Sequence, residues 1–390
     1  MINNDSKASK LFAKRGKTGL KAPFWRILGG TDGHAFHRAF ASKAIAYGAP
    51  QGPFWARTWG EMHGCPIFYA VLYDQKQPRL SLPLQVSRRR GIEVAHFPGG
   101  SHANGSFPAL AEGGCGDIDP ATLAEALRAN GHRVDALLLE RMQPQMSGRS
   151  NPLLPFATNQ SVDPDLAADV EGGWDAWMKR NAGKKKRKKH RQDHDAFATI
   201  GPVKVEVVQG APQIAEALNN FYAMKARRFE QLGVKDVFAE PRIQSFFQRL
   251  ALKEVALDHP CFDVTVLSVN DRPIAIAGHS LLPDRMVCEF SAFEPIETEV
   301  RSVSPSLYMH HESIQRAAEA GYRYYDFSVG DEFYKHHWCD TRTELFDIAL
   351  GITITGRAHA FAHRAAAKAK RKVKSNASAM KIIRRIRPGR

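Results

Sequence analysis

The chain reads as an α/β (α+β) protein built from two tandem units, each a mixed, mostly antiparallel sheet flanked by helices. Three observations predict this. A length of 390 residues suits two domains, and 43% hydrophobic with 24% charged residues is an ordinary globular balance. Runs rich in β-branched and aromatic residues alternate with capped helical segments in both halves. The order of those runs also repeats. Val71-Leu72 before a turn ending at Pro78 parallels Val266-Leu267 before one ending at Pro273, and Gly131-His132-Arg133 entering a strand parallels Gly321-Tyr322-Arg323 entering another. The offsets are about 195 and about 190 residues, the signature of one plan used twice.

Residues 1–22 are polar and basic without an apolar period, and read as a flexible arm. The N-terminal unit, 23–150, opens with short helices and turns from Trp25 to Gly64, punctuated by Gly29-Gly30 and Gly52-Pro53. Strands follow at Ile67–Tyr73 and Leu80–Val86, around an Asp74–Pro78 turn, and at Glu93–Phe97. Asp119-Pro120 caps and opens a helix that Gly131 stops, and Val134–Leu139 is an apolar strand. Residues 151–200 form a Pro/Ser/Asn/Asp linker and a basic helix. The C-terminal unit, 201–356, has helices led by Pro212 and Pro241, with Ile214, Leu218 and Phe221 on one face and Ile243, Phe246, Phe247 and Leu250 on the other. Its strands are Phe262–Val269, Ile274–Leu281 and Met286–Phe293, with Asn270-Asp271 as a hairpin turn. A helix at 306–320, a strand at Tyr322–Ser328 and another at Glu344–Ile354 complete it. Residues 357–390 read as a solvated basic tail in which Ile382, Ile383 and Ile386 make an amphipathic pattern.

The net charge of +15 is concentrated in three places. Residues 1–21, 179–191 and 357–390 hold 27 of the 55 Lys/Arg and one of the 40 Asp/Glu, so the remaining body carries 28 bases against 39 acids. An acidic body with basic appendages is not a chain made for nucleic acid throughout. No run reaches the roughly 18 apolar residues of a membrane span, and the basic N-terminus lacks the apolar core of a signal peptide. Five scattered cysteines without a Cys-x-x-Cys pair suit a reducing cytoplasm.

The sharpest local signal is the helix entry Arg301-Ser302-Val303-Ser304-Pro305-Ser306. Ser304 is placed to cap and Pro305 to take the first helical position. Free amides and the positive helix end favour an anion there, and Arg301 adds a charged donor suited to pyrophosphate. The plainer alternative is that Ser-Pro-Ser only starts a structural helix.

Arg-x-x-Ser-Pro-Ser resembles a degenerate (Gln/Arg)-x-x-Gly-x-(Gly/Ala) pyrophosphate loop of GNAT acetyltransferases, between a strand and a helix. Residues 174–340 resemble CelD/BcsL-type acetyltransferases, relatives of the Fem peptidyltransferases. The resemblance is carried by Lys184–Arg191 after a Trp, Ala292-Phe293, Ser304-Pro305, Tyr325-Asp326-Phe327, Gly330-Asp331-Glu332 and Tyr334-Lys335. The first half matches through Leu82-Pro83-Leu84, Arg88-Arg89-Arg90, Phe97-Pro98-Gly99-Gly100 and Asp135–Arg141. The fold implied is two tandem GNAT-like units, the first degenerate because it lacks the Arg-x-x-Ser-Pro-Ser loop.

The resemblance implies an acyltransferase moving an acetyl or other acyl group from acyl-CoA to an amine or hydroxyl. Acetyl-CoA is the expected co-substrate, its pyrophosphate held by Arg301, Ser302, Val303, Ser304 and Ser306. Glu289, Asp326, Asp331 and Glu332 are then base candidates, Tyr308 and Tyr334 acid candidates with Tyr308 preferred, and Lys335 a stabiliser of developing charge. Each also has a structural reading, as a solvated strand residue or a packed aromatic. The family's association with cellulose and exopolysaccharide synthesis implies a small-molecule or saccharide acceptor, in the cytoplasm or at the inner membrane face. Two alternatives stand beside this: a Fem-like transfer from aminoacyl-tRNA, and a non-catalytic nucleic-acid or anionic-polymer binder on the same scaffold. The run at 184–191 and the tail offer a weak contact with a polyanion or an anionic membrane surface, and no specific nucleic acid is expected. Adjacent histidines such as His310-His311 point about 100° apart on a helix, so no metal site is expected.

Overall fold

The computed structural model describes residues 23–115, 118–254, 260–296 and 303–375. The first half runs β1 (Phe24–Gly29), α1 (Gly30–Ala41), α2 (Trp55–His63), β2 (Phe68–Asp74), β3 (Gln77–Arg89), β4 (Ile92–His96), β5 (Ala109–Leu110), α3 (Pro120–Ala129) and β6 (Ala136–Met142). The segment expected as linker holds β7 (Gln145–Met146), β8 (Arg149–Ser150), β9 (Asn159–Gln160) and β10 (Asp165–Asp169), then α4 (Trp174–Arg180) and α5 (Gly183–Ala198). The second half runs β11 (Val203–Val207), α6 (Ala211–Gln231), α7 (Pro241–Glu254), β12 (Phe262–Val269), β13 (Arg272–Leu281), β14 (Arg285–Phe293), α8 (Pro305–Glu319), β15 (Tyr324–Val329), β16 (Thr341–Thr343), β17 (Phe346–Gly351) and α9 (Ile354–Ser375).

Two sheets share one plan. The first has the order β1-β2-β3-β4-β6-β17-β9, with β5 on β3, and the second has the order β11-β12-β13-β14-β15-β10-β16. Each begins with four antiparallel strands, continues with one parallel pair (β4 with β6, β14 with β15), and ends with two more strands. The first hairpins even share a turn. Gln75 and Lys76 have φ of 49° and 66°, and Asn270 and Asp271 have 50° and 60°, the paired left-handed residues of a type I′ turn.

Sheet membership crosses the boundaries expected from sequence. β10, from the 151–200 segment, lies beside β15 in the second sheet, and β17, from within 201–356, lies beside β6 in the first. Each sheet therefore takes in a strand from outside its own unit. The units also share one apolar core, in which Trp55 and Trp59 of α2 meet Phe246 of α7 at ring-centroid distances of 4.9 and 5.3 Å.

Three further expectations are corrected. The chain begins its fold with a strand, β1, where short helices were expected; its residues pair with β2 from Phe24↔Tyr73 to Gly29↔Phe68. The basic helix is broken in two at Ala182, whose φ is 54°. Residues 354–375 are no solvated tail but helix α9, with Ala360 and Ala367 buried and His363 set 3.1 Å from Glu140 of β6. Residues 1–22 and Ile382, Ile383 and Ile386 lie outside the described residues. Among the described residues no helix is long and apolar enough to cross a membrane.

Candidate active site

The site is built where β14 and β15 part. They pair in parallel only from Arg285↔Tyr324 to Val287↔Asp326, yet β14 continues to Phe293 and β15 to Val329. Beyond Val287 the edge of β14 that faces β15 has no strand on it, so its backbone groups open into the gap between the two strands. A β-bulge sits at this point. Gly278 pairs with Phe290 and His279 with Cys288, which leaves Glu289 as the extra residue. Bulges re-aim a side chain and recur beside active sites. Gly278 makes room for this one, because a Cβ there would lie 2.3 Å from the Phe290 ring.

Glu289 is half-buried, and its Oε1 is enclosed without a hydrogen-bond partner. Burial, with the nearby charges of Asp326 and Asp165, raises its pKa to about 8 against a hydrogen bond from Ser280 that works the other way. Asp165 arrives on strand β10 and is 2% exposed. It takes a hydrogen bond from Gln143 Nε2 at 2.9 Å, while its Oδ1 is unpartnered. Burial and the charge of Asp326 raise its pKa to about 8 as well. Asp326 differs from both. Its Oδ2 accepts from Arg285 Nη1 at 3.0 Å and its Oδ1 accepts from the Ser328 amide at 2.7 Å. Both oxygens of Asp326 are thus engaged, one by a buried guanidinium and one by a backbone amide, unlike the free oxygens of Glu289 and Asp165.

The other expected residues divide. Ser304 caps α8, its Oγ accepting from Leu307 N–H at 3.2 Å, with Pro305 at the first helical position. Val303 packs against the apolar cluster that includes Tyr308 and Met309, and Ser306 is half-buried at the helix start. Arg301 and Ser302 lie outside the described residues. Tyr308 packs on α5. It is buried there, with its hydroxyl 3.0 Å from His194 Nδ1 and its ring stacked on His190 at 4.3 Å. Tyr334 is the phenol at the β14–β15 opening, stacked on His310 at 5.9 Å and set against Phe327 at 6.3 Å. Burial raises its pKa, so it stays protonated. Lys335 is 3% exposed and donates to the carbonyls of Ser328 and Val329 at 3.0 and 3.3 Å, with Glu332 at 3.0 Å. It clamps the end of β15, where Ser328 holds a left-handed φ of 63°, and its ammonium is thereby committed to structure. Asp331 is an exposed rim residue paired with Arg342 at 3.2 Å and His336 at 2.7 Å.

Behind the opening a buried polar chain fixes three strands and α8. His279 lies 3.1 Å from Asp263 and 3.3 Å from the Tyr325 hydroxyl, which is 3.4 Å from His310 Nδ1. Arg316 of α8 donates to Asp263 at 2.8 Å. Sequence reasoning missed Asp165 and Arg285, and nothing local marks them: one sits in an apparent linker and the other at a strand start. It also missed that His190 and His194 stand at His-x-x-x-His spacing, a signal that was legible. His190, His311 and Glu312 place potential ligand atoms within 4.8 Å of one another. However, the His190 and His311 rings are stacked 17° from parallel at 3.9 Å, so one ion cannot lie in both ring planes.

Residues 184–336 match the family described as Acetyltransferase (GNAT) domain. Among solved structures the chain is similar to FemX, at 11% identity over 83% of this chain and 97% of that one, with a TM-score of 0.55. It is also similar to a conserved protein of unknown function from Bacteroides thetaiotaomicron VPI-5482, at 11% identity over 83% and 100%, with a TM-score of 0.52. A third is the C-terminal domain (DUF2156) of a putative lysylphosphatidylglycerol synthetase from Agrobacterium fabrum, at 12% identity over 84% and 95%, with a TM-score of 0.50. These likenesses show the fold. Comparison with curated proteins gives no significant match. The family match and the repeated topology agree on a mixed α/β fold of two tandem GNAT-like units.

Proposed function

We propose that the protein is an acyltransferase that moves an acyl group, acetyl first among them, from acyl-CoA to an amine or hydroxyl acceptor. One observation carries the reading: a carboxyl with a free oxygen and a pKa near neutrality stands on a bulge at the point where two parallel strands part. A general base works best when its pKa lies close to the operating pH. Glu289 takes the proton of the acceptor as its nitrogen or oxygen attacks the thioester carbonyl. The unpaired edge of β14 beyond Val287 offers backbone N–H groups to the carbonyl oxygen. To Tyr334, rather than Tyr308, we assign the proton given to the departing thiolate. The resemblance of residues 174–340 to CelD/BcsL-type enzymes supports a saccharide acceptor.

The α8 start fits a pyrophosphate with fewer donors than a glycine loop would give. Pro305 has no N–H and Ser304 Oγ already takes that of Leu307, which leaves the Ser306 amide and the loop before it. That shortage favours a second reading, in which the acyl group is an aminoacyl group delivered by tRNA lying along the basic helix α5. Calorimetric titration with acetyl-CoA separates the two. Saturable binding that Ser306→Pro weakens supports the first. No binding at millimolar acetyl-CoA, with transfer from aminoacyl-tRNA, would replace it with the second. Transfer from neither donor, with DNA binding retained, would leave a non-catalytic binder.

A further inference from the structure

We propose that the crevice at the ends of β4 and β6, in the first unit, binds a phosphate-bearing group of the acceptor. The inference rests on the acyl-transfer reading only in calling that ligand the acceptor. Like β14 and β15, β4 and β6 pair in parallel over three residues, Val94↔Ala136 to His96↔Leu138, and then part. Two cavities open there, of about 270 Å³ and about 820 Å³, and both are lined by Ser101, Glu140 and Arg141. Helix α9 walls the larger one, which reaches Val329 at the end of β15. One cleft thus runs from the first unit's crevice to the strand that carries Asp326.

The charges on this cleft do not cancel. Arg89 lines the smaller cavity, half-buried, and its guanidinium makes no hydrogen bond or ion pair with any described residue. Burial lowers its pKa, and the charge acting against this is that of Glu140. Glu140 is already committed to His363, 3.1 Å away, and that hydrogen bond raises the His363 pKa. Arg141 donates from Nη1 to Ser101 O at 3.0 Å and Asn104 Oδ1 at 2.6 Å, and neither acceptor is charged. The other carboxylates on the wall are engaged: Asp163 with Lys374, and Asp347 with Ser161, Asn159 and the Arg141 amide. Two guanidiniums and Lys370 therefore face the cleft without a carboxylate of their own. Arginine forks match phosphate oxygens two at a time, and a half-buried unpaired cation is what a missing anion leaves behind. The larger volume, walled partly by alanines and Val373, takes more than an inorganic ion, so the phosphate is one end of a larger molecule.

The test is a calorimetric titration of the full chain with inorganic pyrophosphate, in saturating coenzyme A so that the donor's phosphate site is filled. Arg89→Gln is expected to weaken pyrophosphate at least about tenfold, the effect of one charge-assisted pair. Arg89→Lys, which keeps the charge and loses the fork, should fall between and serves if the glutamine variant folds poorly. Arg242→Ala, on α7 and outside both cavities, should bind as the parent does. Arg89-dependent binding to phosphatidylglycerol vesicles, absent for phosphatidylcholine vesicles, would assign the phosphate to a lipid headgroup. Arg89-dependent binding of free pyrophosphate alone would assign it to a soluble acceptor. Pyrophosphate and vesicle binding that ignore Arg89, or that Arg242→Ala lowers equally, would overturn the proposal. Acetyl-CoA affinity in Arg89→Gln should be unchanged, so failure of the donor reading is seen separately.

Discussion

Glu289→Gln should do two opposite things, and the structure sets the size of both. The substitution keeps the shape of the side chain on the bulge and removes its proton chemistry. If Glu289 is the general base, kcat falls by about 10²-fold or more while acetyl-CoA affinity is unchanged. The same change should stabilise the fold. The folded pKa of about 8 exceeds the ordinary value of 4.5, so the folded state holds a proton that the unfolded state has released. Stability then falls as pH rises from the unfolded pKa to the folded one, and it stays low above that. With ~1.4 kcal/mol per pKa unit, the penalty is about 3 kcal/mol at pH 7 and under about 1 kcal/mol at pH 5. Glutamine has no such penalty. Denaturant unfolding of parent and variant at the two pH values measures the difference, and steady-state transfer rates measure the loss. The parent rate should rise with pH up to about 8 and then level, as the base form fills. A variant that loses rate without gaining stability at pH 7, or gains stability without losing rate, would refute the assignment of one carboxyl to both effects.

Asp326→Asn leaves Arg285 with one of its two carboxylates and should cost about 3 kcal/mol of stability by denaturant unfolding. It also removes a charge that raises the Glu289 pKa, so the pH–rate curve should move to lower pH. Tyr308→Phe loses one contact with His194 and should leave kcat within about threefold, worth no more than about 0.7 kcal/mol on the conversion used for rates. Lys335→Met strands the carbonyls of Ser328 and Val329 and should destabilise by about 2 kcal/mol in the same unfolding assay. Gly278→Ala forces the Phe290 ring out of its place and should lower stability by about 1–3 kcal/mol and activity with it, measured side by side.

What the sequence revealed and what it hid follow from how far each signal acts along the chain. The helices led by Pro212, Pro241 and Ser304-Pro305 were legible because capping and apolar period are local, and Ser304 does cap. The repeat was legible because turn chemistry is local, and Asn270-Asp271 forms the expected turn. Glu289 could be placed among the candidates, but not singled out: its enclosure comes from a bulge, and from Asp165, which is 124 residues away in the chain. Tyr308 was preferred because helical position is readable, whereas the helix that covers it is not. Helix α9 read as a tail because its seven Lys/Arg stand without an acid, although seven alanines and the His363–Glu140 contact accompany its packing on β17 and β6.

The placement of β10 and β17 explains why the two halves of the site depend on each other. β15 carries Asp326 and needs a partner on its far side; that partner is β10, which brings Asp165 into the same buried cluster. β6 carries Glu140 and Arg141, and its far side is covered by β17, whose Asp347 holds the Arg141 amide at 2.8 Å. Each crevice is therefore finished by a strand from outside its own unit: β17 comes from the second unit and β10 from the segment between the units. A strand of five or six residues with three or four apolar side chains has no independent stability, so neither sheet is complete when the chain is cut between the units. The first unit could not be discarded on this architecture, because its sheet holds β17. That coupling places the cleft lined by Arg89 and Arg141 in the same folded body as Glu289.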